Sequence, residues 1–126
     1  KRGELTMGDR RMAEIKVEDG SLYIYSHWHG FEMPGVAKAA IVTARSRWDD
    51  ESYATHIIVD QMTKADRDSE TGTGIMLKPN AEDQYNSGQP SVIIDLTSKT
   101  LTIIDGSNEY ESIRFENIEK RGELDG

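Results

Sequence analysis

Two of the chain's three histidines, His27 and His29, flank Trp28 in the run Tyr25-Ser26-His27-Trp28-His29-Gly30. On an extended strand this spacing puts both imidazoles on one face and the indole on the other. Neutral imidazoles so placed can share a metal if a carboxylate joins them, and Asp95 or Glu32 would be the donor. Two ligands do not complete a metal site; the alternative is a pair of surface histidines on an aromatic strip. The pair also defines the enzymatic reading, a metal- or His-dependent hydrolase. A serine nucleophile is not supported. Strand alternation turns Ser26 away from His27, and no Gly-x-Ser-x-Gly elbow occurs.

Thr71-Gly72-Thr73-Gly74 is a second candidate, because hydroxyls and closely spaced glycine N–H groups can cradle a phosphate. It precedes a strand rather than a helix and lacks the Walker lysine, so by itself it reads as a plain turn. Together with Arg45 or Arg47 and the strip Tyr23, Tyr25, His27 and His29, it would hold a nucleotide by its phosphate and its base. Asp66-Arg67-Asp68-Ser69-Glu70 has the look of a calcium loop but lacks the glycine at the sixth position and the distal glutamate. Asp49-Asp50 is better explained by helix capping than by acid–base chemistry.

The whole chain limits these readings. It has 126 residues, enough for one domain, with a folded core expected over 7–118. Its net charge of −8 argues against direct nucleic-acid contact and against anionic membrane surfaces. An acidic chain can still imitate a polyanion and block a basic protein. Without cysteine there is no disulfide scaffold, thiol catalysis or Fe–S cluster. No apolar run reaches the length of a membrane span or signal-peptide core, so a cytoplasmic setting is expected. Lys1-Arg2-Gly3-Glu4-Leu5 recurs as Lys120-Arg121-Gly122-Glu123-Leu124. This echo is too short for a structural repeat and reads as an added or assembly feature.

Around these candidates the hydrophobic pattern predicts the elements. Ala13, Ile15 and Val17 alternate with Glu14, Lys16 and Glu18 as a first strand, and Asp19-Gly20 predicts a tight turn with positive φ at both positions. A second strand runs from Ser21 to about His29, with Leu22, Ile24, Ser26 and Trp28 on one face and the tyrosine–histidine strip on the other. Met33-Pro34 opens a helix whose stripe is Ala37, Ala40, Ile41, Ala44 and Trp48. Asp49 or Asp50 caps a second helix with the stripe Ala54, Ile57, Ile58 and Met62. Residues 63–74 and 80–90 read as loops around a short strand at Ile75-Met76-Leu77. Residues 91–96 and 100–104 form a hairpin about Ser98-Lys99, and 112–118 add a last strand with Ile113 and Phe115 inward. The expected fold is α+β: an antiparallel sheet in the order ββααβββ, to which 112–118 would add a further strand, with two helices on one face.

From Met7 to about Ile104 the chain resembles a family of small proteins of bacteria and their phages. The matching residues are Met7-Gly8-Asp9-Arg10, which reads as a start, then Tyr25 to Gly30 and Glu32-Met33-Pro34. They continue through Ala44-Arg45-Ser46-Arg47-Trp48-Asp49-Asp50 with Tyr53, Thr71 to Ile75, and Ile93-Ile94-Asp95. Members usually carry Gly or Asp at the position of His29 and Arg at that of His56, which weakens a metal reading. The resemblance brings no activity with it, only a phage setting in which small accessory proteins blunt host defences.

The expected function is therefore a non-enzymatic binding protein of phage or prophage origin, with no cofactor. It would sequester a nucleotide-like small molecule or inhibit a host effector protein. A homo-oligomer is also expected, because open sheet faces and edge strands usually need covering. The hydrolase and the acidic nucleic-acid mimic are the alternatives.

Overall fold

The computed structural model describes residues 11–26, 33–66, 68, 73–77, 90–104 and 110–118. Six strands form one sheet: β1 (Arg11–Val17), β2 (Gly20–Ser26), β3 (Thr73–Met76), β4 (Val92–Asp95), β5 (Thr100–Ile104) and β6 (Tyr110–Arg114). Between β2 and β3 run the helices α1 (Met33–Thr43) and α2 (Glu51–Thr63), each followed by a short 3₁₀ turn, Arg45–Arg47 and Lys64–Asp66. The order is thus ββααββββ.

Spatially the strands lie β3-β2-β1-β4-β5-β6. Every neighbouring pair is antiparallel except β1 with β4, which run parallel with Ala13 beside Val92 and Ile15 beside Ile94. The sheet is therefore mixed, which corrects the antiparallel expectation. The cause lies in β3. It adds outside β2 in the same sense as β1, so the chain must cross over before β4 can join the other side of β1. The polar, glycine-containing run at 80–90 carries no pattern that announces a crossover.

Alternation decides the two faces. Ala13, Ile15, Ile24, Val92, Ile94 and Leu101 point to the helices and are fully buried. Ala37, Ala40 and Ile41 of α1 join Ala54, Ile58 and Met62 of α2 in the same apolar cluster. Small alanines on the stripes bring the helices close to the sheet, and the isoleucines fill the space between.

Two local expectations change. Neither residue of the β1–β2 turn takes a positive φ, and the turn is Glu18-Asp19 with Val17 paired to Gly20. It lies one residue earlier than the Asp19-Gly20 motif predicts. There the Glu18 N–H is drawn to the Glu51 carboxylate of α2, at 3.2 and 3.3 Å from its two oxygens. Helix α1 also stops at Thr43 rather than running on to Trp48. The Ala44 N–H is shared between Ala40 and Ile41 carbonyls, both at 3.1 Å, and the Arg47 N–H then bonds to the Ala44 carbonyl in the 3₁₀ turn. Trp48 folds back so that its indole N–H satisfies the Ile41 carbonyl at 2.8 Å, while its ring packs 5.1 Å from Phe115. Phe115 is buried as expected, but on a single helical turn at 115–118 after β6 rather than on a longer strand.

Candidate binding face

Tyr23 and Tyr25 of β2 point to the face away from the helices, since their neighbours Leu22 and Ile24 pack into the helix-side core. The hairpin register sets Tyr23 opposite Glu14 and Tyr25 opposite Met12. On the other side of β2, Tyr25 is paired with Gly74 and Tyr23 with Met76. Thr73 and Gly74 thus belong to a strand, correcting the expectation of a turn there; Thr71 and Gly72 lie outside the described residues. The motif reaches the aromatic strip by pairing with it.

Gly74 has a specific role in that pairing. A Cβ built on it would lie 2.6 Å from both Cζ and Oη of Tyr25. The phenol therefore lies down across the glycine backbone, in the volume a side chain would fill. Aromatic residues cover cross-strand glycines in this way, shielding backbone that would otherwise meet water. Tyr25 is half-buried, and Met12, opposite it in the hairpin, is buried on the same face.

Tyr23, two residues away, sits in a polar cluster. Its phenol is within hydrogen-bonding reach of the Glu14 carboxylate and the Ser21 hydroxyl, and Ser21 Oγ in turn donates to Glu14 Oε2. Burial, reinforced by the negative charge of Glu14, raises the Tyr23 pKa above its ordinary value of 10.0. The phenol is consequently neutral near pH 7 and serves as a donor, not a base. Lys16, exposed and directly opposite Ser21, extends the same face by one row. Glu14, Ser21 and Lys16 were not singled out in the sequence. The alternation of β1 already put Glu14 and Lys16 on the wet face, but pairing them with Tyr23 and Ser21 required the turn to be placed correctly.

Arg45 and Arg47 do not join this face. They are exposed in the 3₁₀ turn after α1, in the helical layer on the other side of the sheet, and the Arg47 guanidinium lies 5.2 Å from the centre of the Tyr53 ring. His27 and His29 lie outside the described residues, as does Glu32. Asp95, the other carboxylate considered for a metal, uses Oδ1 to accept the N–H groups of Thr97 and Ser98 at 2.9 and 3.0 Å, closing the β4–β5 turn. Among the described residues no three His, Asp or Glu side chains converge to hold a metal ion.

At one end of the molecule an open depression of about 430 Å³ is lined by Glu18, Asp49, Asp50, Glu51 and Lys99, with Trp48 beneath. Three of its four carboxylates have structural tasks. Glu51 ties the Glu18 N–H to the Thr97 hydroxyl, Asp50 caps α2 through the Tyr53 N–H, and Asp49 meets Lys99 Nζ at 3.1 Å. No described helix is long and apolar enough to cross a membrane.

No family model, curated protein or solved structure matches the chain.

Proposed function

We propose that the protein is a non-enzymatic binding module that takes a nucleotide-like small molecule on the sheet face carrying Tyr23 and Tyr25. The observation that carries this reading is the Tyr25 ring laid over Gly74, which turns a strand side chain into a flat platform for a planar base. Tyr23 supplies a neutral hydroxyl beside the platform for hydrogen bonding to the base edge. Lys16 is one row further along and diagonal to Tyr23, about 7–8 Å away, where it offers a cation to a phosphate. Glu14 keeps anionic groups off the centre of the face and favours a ligand lying with its phosphate toward Lys16. Arg45 and Arg47 leave the proposed set because they lie across the sheet. The phage setting and an anti-defence role belong to the same proposal and rest on the resemblance of the sequence motifs.

Native mass spectrometry of protein purified without chelator tests this first, followed by titration with AMP monitored by tyrosine NMR signals. A nucleotide-sized adduct, or AMP binding lost at least tenfold in Tyr25→Ala, supports the reading. A clean chain mass together with no AMP-induced shift at Tyr23 or Tyr25 sinks it. A bound metal instead would put the alternative, the His27/His29 hydrolase, ahead.

A further inference from the structure

The two edges of the sheet are built differently. At the β6 edge the exposed residues include Glu111, Arg114 and Glu116, with Arg114 Nε and Glu116 Oε2 3.2 Å apart. Charges of this kind guard an edge against pairing with another strand. The opposite edge is β3, and there the run Thr73-Gly74-Ile75-Met76-Leu77 carries no charge. Instead it exposes apolar side chains: Ile75 is 52% exposed and Leu77 80%. They are two of three large hydrophobic residues so exposed among the described residues; the third is Tyr53 of α2.

We infer that β3 pairs with β3 of a second copy of this chain, antiparallel about a two-fold axis through Met76. In this register Ile75 of each copy stands opposite Leu77 of the other, so both exposed apolar side chains are covered twice over by one symmetry operation. No like charges meet at the seam, and this matters for a chain of net charge −8. The same lack of charge counts against a basic peptide as the occupant, since the strand offers it no carboxylate. Among the described residues this register pairs only 75–77, which falls short of the roughly 1,200 Å² of a stable interface, so the dimer is reversible and depends on concentration.

The pairing has a consequence for the tyrosine face. A two-fold axis perpendicular to the sheet keeps both helical layers on one side of the joined sheet and both tyrosine faces on the other. The strands β2, β3, β3 and β2 then succeed one another at about 4.8 Å, which sets the two Tyr23/Tyr25 strips about 14 Å apart on one continuous surface. The inference does not depend on what that surface binds.

Sedimentation velocity of the full chain between about 5 µM and about 500 µM tests the seam. The expected result is a weight-average mass rising from 14.2 kDa toward twice that value. Ile75→Lys and, independently, Leu77→Lys should hold the chain at monomer mass throughout, with unchanged circular dichroism. Leu77 is so exposed that its replacement leaves the core intact even if Ile75→Lys does not fold. Glu111→Lys on the β6 edge should dimerise like the unaltered chain. A chain that stays monomeric at every concentration overturns the inference and leaves the edge to a foreign strand. Dimerisation that survives both lysine variants overturns it as well.

Discussion

The ring of Tyr25 lies across Gly74, so close that a Cβ on the glycine would meet the phenol carbon at 2.6 Å. The contact joins the aromatic strip of β2 to the glycine-rich run of β3, two features that are about fifty residues apart in sequence. It predicts strong coupling. Gly74→Ala should push the ring off the strand, and the cost of displacing it should offset the roughly 0.5–1 kcal/mol that alanine gains over glycine in a strand. In a Tyr25→Ala background the same change should be stabilising, since nothing remains to be displaced. Urea midpoints of the four proteins of this cycle measure the coupling, and strictly additive effects would sink the account.

Much of the fold is legible in the sequence because alternation and helical stripes are strong signals. Ala13, Ile15 and Ile24 point where their periodicity puts them, and so do Ala37, Ala40, Ala54 and Ile58. What was not legible arose from contacts between distant residues. The parallel pairing of β1 with β4 depends on where β3 lands, and no local pattern encodes that. The β1–β2 turn shifts by one residue where Glu51, thirty-three positions on, takes the Glu18 N–H. Trp48 falls on the α1 stripe by spacing, yet reaches its place through a 3₁₀ turn because its indole caps a helical carbonyl. Of the candidate site, the common face of Tyr23 and Tyr25 follows from strand period alone. The arrival of Gly74 beside Tyr25 and the departure of Arg45 and Arg47 to the other side are tertiary facts.

Asp49 and Asp50 look equivalent in sequence and are not equivalent in the fold. Asp50 accepts the Tyr53 N–H at 3.3 Å as the N-cap of α2, whereas Asp49 is 93% exposed and meets Lys99. Asp50→Ala should cost about 1 kcal/mol. Asp49→Ala should change stability by less than about 0.5 kcal/mol, because an exposed ion pair contributes little. Chemical denaturation of both variants decides the assignment, and a larger loss for Asp49→Ala would reverse it.

Lys99 is the one described non-glycine residue with a positive φ, at 58°. A side chain in this left-handed region carries backbone strain of about 1 kcal/mol that glycine does not. Lys99→Gly should therefore raise the denaturation midpoint despite losing the exposed pair with Asp49. Lys99→Ala loses the same pair and keeps the strain, so it should leave the midpoint unchanged or lower it. Equal behaviour of the two variants would mean that the turn relaxes without help from glycine.

Tyr23 gives the fold a pH dependence of definite sign. Its pKa is raised in the folded state, first by burial and then by Glu14, so the native protein holds the phenolic proton more tightly than the unfolded chain does. The stabilisation from this difference is fully present below the unfolded value near 10. It is lost as the pH rises from there through the higher folded value. Tyr23→Phe removes the titrating group while keeping the ring, and should flatten this part of the profile. The measurement is the fall in denaturant midpoint between about pH 9 and about pH 11, which should be smaller in Tyr23→Phe than in the unaltered chain. Glu14→Gln should also lessen the fall, to a smaller degree, because it takes away the second cause and leaves the first. An identical alkaline loss in all three proteins would assign it to other groups and remove Tyr23 from the account.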